Sequence, residues 1–157
     1  MNFYSFLKTL SATHGNARKD LHNPIKEQPA LIKDQDPMGM MGEMYLALLL
    51  GHSVDLDQKI EGDGGYDFSV PLRFTIDVKT TAKTPRSNNL LVEQGKVKAD
   101  IYVAAVYENN MIDFVGWAMR SEVISAPTKD FGRGLTNHYI DLDKLRPMNE
   151  LYKRVYK

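Results

Sequence analysis

Two aspartates and a lysine stand out in the stretch from Tyr66 to Thr80, YDFSV followed shortly by FTIDVKT. In a β-strand alternate side chains share a face. Phe74, Ile76 and Val78 then point one way, into a core, and Thr75, Asp77 and Lys79 point the other. Asp77 and Lys79 become neighbours on one face, about 7 Å apart at two residues' rise. The preceding run alternates in the same sense, with Tyr66, Phe68 and Val70 on one face and Asp67 and Ser69 on the other. A hairpin through Pro71–Arg73 lays Asp67 across from Asp77. Facing carboxylates repel unless a proton or cation lies between them. Oxygen ligands of this kind suit a hard divalent cation that keeps several waters. A lysine beside them can orient or deprotonate an attacking water, or stabilise a developing anion.

These residues need a scaffold. The chain has 157 residues, 43% of them apolar and 25% charged. That length predicts one domain, with an ordinary globular balance and enough chain to bury a core without a staple. Cysteine is absent. Disulfide frameworks, thiolate zinc sites, iron–sulfur clusters and a cysteine nucleophile are therefore excluded. The longest apolar run, Leu46–Gly51, is too short to span a bilayer, and Met1–Leu10 lacks the charged start of a signal peptide. A soluble, cytoplasmic protein with no membrane partner is the expectation.

Twenty basic residues balance twenty acidic ones, but unevenly along the chain. Residues 1–33 carry five basic and two acidic side chains, net +3, and residues 34–80 three basic and nine acidic, net −6. Residues 81–100 carry net +2 and residues 101–157 net +1. Carboxylates gathered around a cation and flanked by basic arms for a polyanion would give this pattern. So would a solvated surface.

The elements read as follows. Residues 2–12 have the spacing of a short amphipathic helix and 14–35 form a polar, basic arm. Asp36 can cap and Pro37 can open a helix running from Met38 to Leu50, which Gly51 stops. It is apolar on most sides, so it should be largely buried, and Glu43 is its only charged residue. His52–Ile60 can be a strand, and Glu61–Gly65 a turn. Strands follow at Tyr66–Val70 and Phe74–Thr80. After a basic loop at 82–89 comes a strand at Leu90–Glu93. Ala99–Tyr107 is the central strand and Met111–Ala118 its neighbour across an Asn109–Asn110 turn. A helical turn at Arg120–Ile124, a strand near His138–Ile140 and a last helix from Pro147 complete the chain. The class is α/β or α+β around a mixed sheet.

GGYDF at Gly64–Phe68 followed by IDVKT at Ile76–Thr80 resembles the PD-(D/E)xK nucleases, the restriction-endonuclease-like superfamily. The resemblance covers residues 36–107, with the acid-bearing helix ahead of the strands. It departs at Tyr66, where the family has proline, and in having Asp77 for the commoner glutamate. It implies an α/β core of α-β-β-β-(α)-β order, a mixed sheet flanked by helices. The basic arm would precede this core and C-terminal strands and a helix at 108–157 would follow. By the same resemblance, Asp67, Asp77 and the Val78 carbonyl hold Mg2+, with Mn2+ as a substitute. Glu43 completes the site or its surroundings, and Lys79 serves the water nucleophile. The implied activity is phosphodiester hydrolysis in nucleic acid, DNA favoured, on branched or other structured substrates. Small members of junction-resolving and phage-encoded types imply a homodimer and a role in recombination or repair.

Lys83 and Arg86 lie just beyond the catalytic strand, where a phosphate backbone should pass, and Lys96 and Lys98 lie where relatives add basic residues near the cut phosphate. A catalytically inactive nucleic-acid-binding module of the same fold is the alternative function, and a structural protein whose acidic cluster holds a cation is a third. The blander reading of Asp67 and Lys79 is a cross-strand ion pair on a solvated face, and of Glu43 an exposed helix residue. The run Asp55–Glu61 is no calcium loop, because Ile60 stands where the sharp-turn glycine belongs. The four histidines show no metal spacing, and Trp117 is expected in the core.

Overall fold

The computed structural model describes residues 37–51, 66–70, 73–84, 88–109, 111–132 and 134–156. The expected N-terminal helix and arm, the Asp36 cap, the strand at 52–60, the turn at 61–65 and Arg86 lie outside these residues.

Helix α1 spans Pro37–Leu49. Gly51, at φ +67°, ends it in the left-handed conformation that glycine adopts most cheaply. Met40, Met41, Met44, Leu46, Ala47 and Leu50 are buried, while Leu48 and Leu49 are exposed. The helix thus covers the sheet with one side instead of being enclosed. The Tyr156 hydroxyl donates to the Leu49 carbonyl at 3.0 Å and ties this end to the C-terminus.

Strands β1 (Phe68–Val70) and β2 (Phe74–Ala82) form the expected antiparallel hairpin, Phe68 opposite Ile76 and Val70 opposite Phe74. β3 (Asn89–Glu93) comes next, then a 3-10 turn at Gln94–Lys96 and strand β4 (Ile101–Glu108). β4 pairs parallel with β2 on one side and antiparallel with β5 (Met111–Met119) on the other. It is the central strand that its apolar run predicts. Asn109, at φ 49°, follows β4 on the way into β5. Val115 is an extra residue in β5, since Ala104 faces Gly116 while Ala105 faces Phe114. The remainder is helix α2 (Arg120–Ser125), strands β6 (Thr128–Asp130) and β7 (Thr136–Asp141), a 3-10 turn at Leu142–Lys144 and helix α3 (Met148–Val155).

The chain is α/β with a mixed sheet and few helices. One expectation changes. β3 does not join β1 and β2; it pairs with β7 in a second sheet of order β3-β7-β6, beside the main sheet of order β1-β2-β4-β5. Helices therefore cover one face of the main sheet, and the second sheet with α2 covers the other. Between β3 and β4 stands only a 3-10 turn, where the (α) of the expected order would fall. Leu46, Leu50, Ile76, Val78, Val103, Trp117 and Leu151 fill the helix-side core. Leu90, Val92, Tyr102, Ala104, Ala118 and Val123 fill the other. No helix among the described residues is long and apolar enough to cross a membrane.

Two contacts fix β2, the strand that carries Asp77 and Lys79. The Asp100 carboxylate accepts the Thr75 N–H at 2.9 Å and the Thr75 hydroxyl at 3.0 Å, while the Asp100 N–H is directed back at Thr75. This clamp sets the parallel register, in which Asp77 lies beside Tyr102 and Lys79 beside Ala104. On the other face α1 meets β2 at Gly42. A Cβ there would stand 2.1 Å from Thr80 Oγ1 and 3.3 Å from Thr80 Cβ. Alanine in a helix gains about 1 kcal/mol over glycine, but overpacking against a branched, restricted side chain costs about 1–3 kcal/mol. Gly42→Ala should therefore destabilise the protein by about 1 kcal/mol, and Thr80→Ala in the same chain should restore part of the loss. Denaturant unfolding of the two variants measures this; a Gly42→Ala protein as stable as wild type would show that the helix has room.

Candidate metal and phosphodiester site

β1 starts late, and the site is built on that late start. A five-residue strand from Tyr66 is the sequence expectation, yet the ladder starts at Phe68. Asp67 still donates its N–H to the Ile76 carbonyl at 2.9 Å. Its side chain then does what the missing strand residue would do, accepting the Val78 N–H on Oδ2 at 2.5 Å. In a strand a residue's N–H and C=O face the same side, so the Val78 carbonyl looks out over the same edge. Tyr66, expected on the Phe68 face, packs instead against the core beneath the second sheet. It stands outside the strand, where the alternation no longer holds.

Asp77 is only 5% exposed, one of two buried polar residues among those described. Its Oδ1 accepts from Lys79 Nζ at 2.7 Å, and the Lys79 side chain remains 42% exposed. The ion pair that forms is thus Asp77–Lys79 along one strand, rather than Asp67–Lys79 across two. Oδ1 of Asp67 and Oδ2 of Asp77 accept no hydrogen bond among the described residues. Glu43 is half-buried on α1, beside the tight Gly42 contact. It is close enough to act electrostatically on both Asp67 and Lys79. Asp67, Asp77, Lys79 and Glu43 are therefore brought into one neighbourhood.

The electrostatics follow from that crowding. Burial, then the Glu43 and Asp77 charges, hold the Asp67 acid well above the usual carboxylate range, against the opposing pull of the Val78 N–H and Lys79. Burial works to lower Lys79, but the Asp77 carboxylate, with Asp67 and Glu43 behind it, raises it above the ordinary lysine value. The Lys79 ammonium is thus felt by Asp77 in direct contact and by Asp67 and Glu43 at longer range.

Among the described residues no three acidic or histidine side chains close into a ready-made metal cage. The donor set nevertheless fits a small hard cation, which is bound through one or two carboxylates and keeps waters in its other positions. The two unengaged carboxylate oxygens and the Val78 carbonyl supply that number.

The basic residues are spread more widely. Lys83 pairs with Glu108 at 2.8 Å and Lys96 with Glu93 at 2.7 Å, so neither offers an uncompensated charge. Lys98 is exposed, and its N–H donates to the Tyr102 hydroxyl at 2.7 Å. Trp117 is in the core, and His138, buried, places Nδ1 3.3 Å from the Ala126 carbonyl. Sequence reasoning missed Tyr102. Fully buried beside Asp77, its oxygen gathers the Lys98 and Ala99 N–H groups and anchors the entry to β4. Burial and the Asp77 charge push its phenol up. An aromatic inside an apolar run carries no sign of such a role. No family model, curated protein or solved structure matches this chain.

The raised Asp67 acid has a signed consequence. An acid whose folded-state pKa lies above its unfolded value favours folding while protonated, and this contribution disappears as pH climbs through the raised value. Asp67→Asn is permanently neutral and keeps an oxygen for the Val78 N–H. In chelator it should be more stable than wild type at neutral pH, with the gap widening as pH rises by up to about 1.4 kcal/mol per unit. Thermal unfolding across a pH series measures it; parallel curves would mean that Asp67 pays no penalty for its charge.

Proposed function

We propose that the protein is a metal-dependent phosphodiesterase acting on nucleic acid, with DNA favoured. The observation that carries this reading is the Asp67 carboxylate bound to the Val78 N–H at the edge of β2 that β1 leaves uncovered, with Asp77 and Lys79 on either side of Val78. The PD-(D/E)xK resemblance supports it, since Asp67, Asp77 and Lys79 occupy that family's three positions and Glu43 its helix acid. The restriction-endonuclease-like fold belongs to the same proposal, with β3 displaced into a second sheet.

A cation held by Asp67, Asp77 and the Val78 carbonyl supplies Lewis-acid charge to a phosphate and acidifies water. The protein's own residues do the rest. Asp67 is fixed by the Val78 N–H, so it presents its other oxygen without reorganisation. Asp77 is pinned by β4 behind it. Lys79 reaches from the buried carboxylate toward solvent, where an ammonium can hold a water or a phosphate oxygen by a charge-assisted hydrogen bond. Glu43 adds negative charge that strengthens the call for a cation. A homodimer and a role in recombination or repair remain part of the same reading.

Asp77→Ala should abolish Mg2+-dependent cleavage on a panel of linear, nicked, single-stranded and four-way DNA while leaving a folded protein. Wild-type cutting by that variant would end the assignment. Lys79→Met should lose roughly 100-fold or more in rate, yet keep Mg2+ binding by calorimetry, because the ammonium is not a ligand. Loss of metal binding together with activity would make Lys79 a structural organiser of the carboxylates. DNA binding without cleavage by wild type under any divalent metal would favour the inactive binding module.

Lys83 tests the path of the backbone. Each phosphate contact removed lowers the salt slope of DNA binding by about 0.9. Because Lys83 already pairs with Glu108, Lys83→Ala should lower it by less than that full step. An unchanged slope would take Lys83 out of the DNA path.

A further inference from the structure

Beside Lys79 the two sheets part into a cleft of about 310 Å³. It opens towards the carboxyl ends of the parallel strands β2 and β4, the place where open α/β sheets hold ligands. Ala104, the register partner of Lys79, belongs to its floor, and Leu90 on β3 to its wall. Thr81 and Thr84 bring hydroxyls, and Asn89 brings an amide. The Asn89 side-chain oxygen is buried and has no hydrogen-bond partner. A buried acceptor left without a donor is costly, and a donor in the cleft reaches this one once the Asn89 side chain turns toward it. Phe131 lines the cleft, is 41% exposed and meets Tyr139 edge-on at 5.7 Å, which fixes its ring.

We infer that this cleft takes one unpaired nucleobase of the strand whose phosphate lies at Lys79, an inference that rests on the proposed phosphodiesterase reading. The volume lies at the small end of ligand pockets, enough for a base and too little for a base pair within a duplex. The chemistry matches in kind. A base offers flat apolar faces to Leu90, Ala104 and Phe131, and an edge of N–H donors and acceptors to Asn89 and the threonines. Among the described residues lining the cleft the one cation is Lys79, already engaged by Asp77, and Lys129 lies 5.5 Å from the centre of the Phe131 ring. Inside a duplex the base edges are paired and the faces stacked, so only an unpaired nucleotide can enter. The substrate class is therefore a single strand, flap, gap or branch point that presents an unpaired base next to the cut phosphate.

The test uses the full chain in chelator, so that no cleavage intervenes. Its probes are a short single-stranded oligonucleotide containing 2-aminopurine and the matching duplex. Wild type should bind the single strand roughly tenfold tighter than the duplex and change the 2-aminopurine emission. Phe131→Ala, at an exposed position, and Asn89→Leu, which replaces the amide with an apolar side chain, should each lose roughly tenfold in single-strand affinity. Their duplex affinity should stay at the wild-type level. Equal wild-type affinity for the two probes, binding of neither, or single-strand affinity unchanged in both variants would overturn the inference. The two proposals fail differently. Single-strand preference without cleavage under any divalent metal removes the phosphodiesterase and keeps the base site. Metal-dependent cutting of duplex, undiminished in both variants, removes the base site and keeps the phosphodiesterase.

Discussion

The site depends on one hydrogen bond, from the Val78 N–H to the Asp67 carboxylate. A continuous β1 would have covered this edge of β2 with backbone and closed it. A side chain in place of a strand residue satisfies the same donor and leaves the Val78 carbonyl looking outward. It also draws Asp67 into a half-buried position within the fields of Asp77 and Glu43. Gathering carboxylates away from water is unfavourable unless charge is supplied. Lys79 supplies positive charge, to Asp77 by direct contact and to Asp67 and Glu43 at longer range. The rest of the fold keeps this arrangement from relaxing. β2 cannot move away, because the Asp100–Thr75 clamp holds its register on β4 and the Gly42 contact holds α1 against its other face.

The split into two sheets determines what surrounds that site. With β3 beside β1 and β2, a single wider sheet would carry helices on both faces. Because β3 pairs with β7, the Asp77–Lys79 face of β2 looks partly into an inter-sheet core and partly into a cleft. Tyr102 and Ala104 mark the transition. Tyr102 fills the core beside Asp77, whereas Ala104, beside Lys79, is small and leaves space. One strand thus places its buried acid against packing and its lysine against an opening.

Much of this was legible in residue order. The alternation of Phe74 to Lys79 separates the Ile76–Val78 core face from the Asp77–Lys79 face because β2 is sandwiched between unlike layers, the helices on one side and a partly open second sheet on the other. The β4–β5 hairpin was legible because two apolar runs flank an Asn pair, and Asn109 takes the positive φ that asparagine tolerates. The destination of β3 was not legible. Leu90 and Val92 alternate with more exposed residues, and that pattern is the same whichever sheet receives the strand. Gly42 was hidden for another reason: a glycine within a Met-rich helix looks like a weak point until the opposing Thr80 is known. Lys96 has its partner Glu93 three residues away, within reading distance, whereas Lys83 finds Glu108 only through the β2–β4 pairing.

The same electrostatics decide between two roles for Lys79. A general base must give up its proton near neutral pH, and enzymes bring lysines to that point by burying them away from anions. Burial alone would lower Lys79, but the carboxylates around it outweigh burial and raise it. In the metal-free protein Lys79 is thus an ammonium, a donor and a fixed charge, and cannot take a proton from water. Its amine could become a base only after the negative charge of Asp77, Asp67 and Glu43 has been answered by something other than Lys79. Within the proposed phosphodiesterase reading Lys79 therefore serves first to hold and orient an oxygen, with any proton transfer conditional on what fills the space between the two aspartates.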